Sequence, residues 1–394
     1  MKKLLLASTA SVLLASTAGA EEIKLGILIG FTGPIESLTA DMAAAAEFAM
    51  KEVNDSGLLL DGSTLVPVRA DSTCIDSAAA TAAAERLITS DGVLGIVGGD
   101  CSGVTGAVLQ NVARPNGIVM ISPSATSPAL SSAEDDGLFF RTAPSDAREG
   151  EVMADILMEK GVKSIALTYT NSDYGKGLSE AIANAFIAKG GTVTINASHE
   201  DGKADYSSEV AALAAAGGDL LVVAGYLDQG GKGIIQASLD TGAFSTFGLP
   251  GGMVGDNLPL AIGPALDGSY GQVAQSDGSG SATLIEMGKE AGFNAVTPYT
   301  MESYDAVALF ALAMQAAGSS KPADYAAKVM EIANAPGEKI YPGELAKALE
   351  LVKAGVDIDY EGASSVELIG PGESAGRYRQ FEIKGGKYET VTFR

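Results

Sequence analysis

Cys101 and Ser102 stand in Gly99-Asp-Cys-Ser-Gly103, between a β-branched run and the start of a helical stretch. That is the setting of a nucleophile elbow, where a tight strand-to-helix turn exposes a thiol or hydroxyl for acyl transfer. A nucleophile needs a positioned base. The one histidine, His199, falls on a polar stretch after a strand in the other half of the chain and reads as a solvated loop residue. Phosphate chemistry fares no better. Gly230-Gly-Lys-Gly233 lacks the Ser or Thr that follows a P-loop lysine, and Gly225 lies one residue too far upstream. No Gly-x-Gly-x-x-Gly follows the first strand, and no histidine pair or EF-hand loop offers a metal site. Neither an enzyme nor a cofactor is expected.

What remains is a set of polar loops, each after a short apolar run. Gly98 to Thr105 is built of small residues leading into a helix, whose first free N–H groups suit an anion. Ser122-Pro-Ser-Ala-Thr-Ser-Pro128 is dense in hydroxyls and held by two prolines. Asn171-Ser-Asp-Tyr-Gly175 and Gly225-Tyr-Leu-Asp228 add two tyrosines and two acids. Each loop alone is ordinary turn chemistry. Together they form two loops from each half of the chain, all at the carboxyl ends of strands, where open α/β sheets bind ligands.

The elements that would position those loops alternate. Strands are predicted at 23–29, 65–70, 93–97 and 118–121, with helices over 41–53, 77–89 and from about Ser102. The rhythm restarts with helices over 149–160, 174–189, 206–216 and 233–239, and strands at 164–169, 192–196, 220–224 and 245–249. Helices follow over about 281–290, 303–317, 323–333 and 342–354, then a strand at 365–369 and a hairpin of 378–383 with 388–393 across Lys384-Gly-Gly-Lys387. The polar Asp277-Gly-Ser-Gly-Ser281 reads as a crossover or linker. Such alternation means α/β architecture, with two doubly wound parallel-sheet lobes of like build.

Residues 1–20 read as a secretory signal: Lys2 and Lys3, the apolar run 4–14, then Ala18-Gly-Ala20 before Glu21. Removing the first twenty of 394 residues leaves 374, a length that suits two domains. The signal carries two lysines and no acid, so the net charge of −23 becomes −25. Such a charge argues against nucleic acid and anionic membranes as partners and for plain solubility. The two cysteines of an exported chain favour one disulfide, with two buried thiols the alternative and a metal site the weakest reading.

Across essentially the whole mature chain the sequence resembles the periplasmic leucine/isoleucine/valine-binding protein family, the type I solute-binding proteins of ABC importers. The resemblance rests on Ile23-Lys-Leu-Gly-Ile-Leu-Ile-Gly-Phe-Thr-Gly-Pro34, Asp71-Ser-Thr-Cys74, Gly98-Gly-Asp-Cys-Ser102 and Ile121-Ser-Pro-Ser-Ala-Thr-Ser-Pro128. Phe140-Arg-Thr142, Asp173-Tyr-Gly175 and Ala224-Gly-Tyr226 complete it. It implies two lobes closing over a ligand and joined by a three-segment hinge, with crossovers near 141–144, 275–277 and 362–366. Lobe 1 would then be residues 21–142 and 276–365, and lobe 2 residues 143–275 and 366–394. It also implies a Cys74–Cys101 disulfide. By the same resemblance Ser102, Ser124 and Thr126 would grip a ligand's α-carboxylate and part of its ammonium, and Tyr174 and Tyr226 would close over it. Two positions depart from the family's pattern. Gly251 stands where an acid usually pairs with the ammonium, so another carboxylate substitutes, Asp228 first and Glu36 second, or the ligand has no ammonium. Leu38 stands where an aromatic often lines the side-chain pocket. The expected function is a periplasmic, monomeric binding protein that delivers a branched-chain-type amino acid or related small carboxylate to membrane permease subunits. The alternatives are binding of a non-amino carboxylate or amide, and a periplasmic sensor subunit.

Overall fold

The computed structural model describes residues 20–394, so the signal segment lies outside the described residues except for Ala20. Two seven-stranded sheets carry the fold. The first runs in the spatial order Leu368–Ile369, Glu373–Ser374, Phe139–Pro144, Met120–Ser122, Ile96–Gly98, Glu22–Ile29, Thr64–Asp71. The second runs Lys387–Phe393, Tyr378–Lys384, Tyr270–Ala274, Phe247–Leu249, Leu220–Ala224, Ser164–Thr170, Thr192–His199. In each sheet five successive strands pair in parallel with the order 5-4-3-1-2, and antiparallel pairing is confined to the C-terminal strands.

The shared order fixes one special place in each lobe. Strand Glu22–Ile29 pairs on one side with Thr64–Asp71 and on the other with Ile96–Gly98. Ser164–Thr170 likewise lies between Thr192–His199 and Leu220–Ala224. Successive crossovers there run in opposite directions, so the loops leaving neighbouring strands diverge and open a crevice. The apolar runs that form these strands are buried on both faces, as helix-covered parallel strands must be.

Besides the short strands Glu338–Ile340, Ile358–Tyr360 and Glu373–Ser374, two strands of the parallel cores were not legible as strands. Phe139–Pro144 contains Arg141, and Tyr270–Ala274 contains Gly271 and Gln272, so neither shows a β-branched run. Both are wholly buried all the same. The predicted helix 323–333 is broken into Pro322–Tyr325 and Lys328–Ile332. The strand expected at 365–369 is only Leu368–Ile369, and with Glu373–Ser374 it joins the first sheet. The chain therefore makes its third crossing between Ser374 and Tyr378, later than the expected 362–366.

Arg141 explains that delay. Its guanidinium is 1% exposed and sits where the chain leaves the first sheet. Nη1 donates to the carbonyls of Ala125 at 3.0 Å and Ser127 at 2.9 Å, and Nη2 donates to Ser131 Oγ at 2.6 Å and to Glu373. A buried charge must be paired and hydrogen-bonded in this way. The carboxylate it needs arrives on Glu373, which holds the late strand in the first sheet.

His199 is a second correction. It is not a solvated loop residue. It ends the strand Thr192–His199 at 2% exposure, with Nδ1 2.9 Å from Thr168 Oγ1 and Nε2 without a hydrogen-bond partner among the described residues. Burial pulls its pKa down to about 4, with only Glu209 pulling the other way.

Two predictions follow from these buried charges. Arg141→Ala should cost about 3–5 kcal/mol in urea unfolding, because it leaves the Glu373 carboxylate and two loop carbonyls without their donor. For His199, the unfolded chain binds its proton first as pH falls, since the free imidazole titrates near 6.5. The stability owed to a neutral His199 is whole above pH ~6.5 and lost as pH falls through ~4, about 3 kcal/mol in all. Urea midpoints measured at pH 7.5 and 4.5 should differ less in His199→Asn than in the wild type.

Candidate functional site

The diverging loops of both lobes meet around one small, tightly closed cavity. The loop after Glu22–Ile29 contributes Ile35 and Leu38, and the loop after Ile96–Gly98 contributes Asp100, Cys101 and Ser102. Ser124 follows Met120–Ser122. From the second lobe come Tyr174, Tyr226 and Gly252, each just past the carboxyl end of its strand. Tyr299, immediately before the helix Thr300–Ala317, completes the wall. The chain thus brings together four of the six expected binding residues: Ser102, Ser124, Tyr174 and Tyr226.

Thr126 is buried next to the first crossover, and its carbonyl accepts the Asp146 N–H at 2.8 Å. Asp228 lies on the seam between the lobes and outside the cavity wall. Its carboxylate accepts the Ser37 N–H at 3.0 Å and Asn257 Nδ2 at 2.7 Å, and its own N–H donates to the Pro34 carbonyl at 2.9 Å. Glu36 is exposed in the first turn of the helix Glu36–Ser56. Neither of the two acids expected to stand in for one at 251 is among the residues of the cavity wall.

On the first-lobe side the wall is made of braced hydroxyls. Ser102 Oγ accepts the Ser127 N–H at 3.0 Å, and Ser124 Oγ donates to the Asp100 carbonyl at 3.0 Å. The Asp100 carboxylate takes the Gly30 N–H and the Ser72 hydroxyl, both at 2.7 Å, and the Cys74–Cys101 disulfide ties the same loop to the turn after Thr64–Asp71, on the far side of Glu22–Ile29. Burial pushes the Asp100 pKa up against those hydrogen bonds. Opposite, Tyr174 and Tyr226 stack with ring centroids 5.0 Å apart and planes 17° off parallel, and Tyr174 Oη accepts the Gly252 N–H at 3.0 Å. No lysine or arginine is among the residues that form the wall. Nor is a nucleophile–base pair assembled: Cys101 is consumed by its disulfide, and His199 faces Thr168 and Tyr206 in the second lobe.

Two features of the site went unread in the sequence. Tyr299 holds the left-handed conformation at φ 65°, which costs a non-glycine residue roughly 1–2 kcal/mol and turns the chain into its helix. Nothing in Pro298-Tyr-Thr300 announces that. Glu149 and Asp146 look like ordinary first-turn acids of the helix Asp146–Glu159, favoured there by the macrodipole. Yet both are buried, Asp146 at 0% and Glu149 at 2% exposure. Helical spacing did carry a signal: Gly150, Met153 and Leu157 mark the buried stripe, and it continues back through positions 149 and 146.

Known proteins agree with this arrangement. The family model described as periplasmic binding protein matches residues 22–339. A Leu/Ile/Val-binding protein homolog 1 of Brucella melitensis is 30% identical over 339 residues, covering 84% of this chain and 89% of that protein. Among solved structures, the leucine-binding protein LivK of Thermotoga maritima superposes with a TM-score of 0.78 at 19% identity, covering 94% of this chain and 98% of that one. A solute-binding protein of an ABC transporter from Rhodopseudomonas palustris HaA2, in complex with p-hydroxybenzoic acid, gives 0.78 at 17% identity, covering 95% and 97%. The sheet order, the lobe-spanning cavity and these matches lead to one conclusion: this chain belongs to the periplasmic binding protein family.

Proposed function

We propose that this chain captures a small α-amino acid in the cavity between its lobes and, once closed, presents it to the membrane permease subunits of an ABC importer. It would do so as a monomer outside the cytoplasmic membrane. The lobes are taken as residues 21–142 with 276–374, and 143–275 with 375–394.

The observation that carries this reading is the two-sided wall. Ser102 and Ser124 stand on the first lobe, and the stacked Tyr174 and Tyr226 on the second. A ligand held by the hydroxyl side gains the aromatic side only on closure, and that difference in affinity is what drives closure. Hydroxyls and free backbone N–H groups at the Ser102 helix start suit a carboxylate. Tyrosine faces suit a compact cation or an apolar side chain. The Brucella relative is named as a homolog of a leucine-, isoleucine- and valine-binding protein.

One observation favours a second reading. Gly251 leaves no acid of its own for an ammonium, and the Rhodopseudomonas neighbour holds a benzoic acid, so a carboxylate without an amine is the competing ligand class.

Calorimetric titration of ligand-stripped protein decides between them, pairing each branched-chain amino acid with its 2-keto analogue and adding polar amino acids and benzoates. An amino acid should bind, and Ser102→Ala should weaken it by about 10–100-fold through loss of a hydrogen bond to a charged group. Binding confined to the keto acids or benzoates would replace the amino-acid reading by the second one.

A further inference from the structure

Behind Gly251 the second lobe holds two carboxyls that the wall residues do not account for. Glu149 Oε1 accepts the Gly251 N–H at 2.7 Å and Gln272 Nε2 at 3.1 Å, and Oε2 takes no hydrogen bond among the described residues. Asp146, one turn earlier, is fully buried; neither carboxylate oxygen makes a well-formed hydrogen bond among the described residues, although Thr126 and Glu149 lie close enough to act on its titration. Buried polar groups are normally satisfied, so a carboxyl pair this empty points to a partner that arrives from outside.

The geometry says where that partner would sit. A Cβ built on Gly251 would lie 2.8 Å from Tyr299 Oη and 3.5 and 3.7 Å from the two Glu149 oxygens. Tyr299 is part of the cavity wall, and Gly252, the next residue, is too. The Glu149 carboxyl therefore stands at the place that a side chain at 251 would reach into. Asp100 lines a cavity whose wall has no cationic side chain, and Asp146 and Glu149 are buried behind the wall residues Tyr299 and Gly252. Of the nearby guanidiniums, Arg141 has its donors committed to Ala125, Ser127, Ser131 and Glu373, and Arg148 is exposed.

Resting on the reading of the cavity as a ligand site, we infer that Glu149, backed by Asp146, receives the cationic group of the ligand in place of an acid at position 251. The titration behaviour of the pair agrees. Burial pushes both carboxyl pKa values up, Asp146 the further, with Glu149 adding to its rise. Burial is opposed at Asp146 by Thr126 and Arg141 and at Glu149 by the Gly251 N–H and Gln272, and the pair also faces Tyr174, Tyr299 and Tyr378, whose own hydroxyl pKa values are raised first by burial and then by Glu149 and Asp146.

The test is calorimetry on the wild type, Glu149→Gln, and the double variant Glu149→Gln/Gly251→Glu, each with an amino acid and its 2-keto analogue. Glu149→Gln should lose about 100-fold in amino-acid affinity while keto-acid affinity moves by less than about threefold. The double variant, with the carboxylate relocated, should recover at least about tenfold. Unchanged amino-acid binding by Glu149→Gln overturns the inference and leaves the function standing. A wild type that binds only the keto acid, or neither, overturns the amino-acid function itself. If Glu149→Gln fails to fold, Glu149→Asp takes its place: it keeps the charge but withdraws it by one methylene, and should weaken amino-acid binding about tenfold while leaving the keto acid within about threefold. Unchanged amino-acid binding by Glu149→Asp would equally overturn the role of Glu149.

Discussion

Parallel pairing is the constraint on which this molecule depends. Strands that run the same way need a crossover between each pair, and all their carboxyl ends then lie along one edge of the sheet. Where the order of crossovers reverses, the edge loops must part. Each lobe has one such place, beside Glu22–Ile29 in the first and Ser164–Thr170 in the second. The ligand wall is assembled from the loops at those two places. A polar cleft thus comes from the topology, and the sequence needs only to furnish the loops with hydroxyls and aromatics.

The charge economy of the cleft follows from what the core can tolerate. Arg141 is buried at full charge because a carboxylate, a hydroxyl and two carbonyls meet its donors. Asp305 is buried with donors from Tyr360, Ala363 and Ser364, and burial still lifts its pKa to about 6. Glu302, without such a set, is pushed up to about 8. Asp146 differs from these in having no well-formed hydrogen bond on either carboxylate oxygen among the described residues, and with Glu149 it lies behind Gly251 and the wall residue Tyr299.

Much of this was legible before any coordinates. Alternating β-branched runs and alanine-rich helices gave the α/β class and most of the elements, because burial on both faces of a parallel strand leaves a plain apolar run. Ser102, Ser124, Tyr174 and Tyr226 were legible because loops at strand ends concentrate small polar and aromatic residues. The failures share one cause: a side chain whose type says surface but whose partners lie far away in the chain. Arg141 waits for Glu373, and Gln272 for Glu149, so their strands do not look like strands. His199 is hidden by packing against Thr168 and Tyr206. Asp228 has the right chemistry for the cleft, but its local geometry turns it to the Ser37 N–H instead.

That last contact reaches beyond itself. Pro34, Ser37 and Asp228 form hydrogen bonds across the lobe boundary. None of the three is itself a wall residue, and bonds of this kind, made between lobes, favour the shut arrangement before any ligand arrives. Because apparent affinity scales with the fraction that is shut, the seam works as a volume control. Substitutions along it can retune the concentration to which the protein responds, over a wide range, with no change in which molecule it selects.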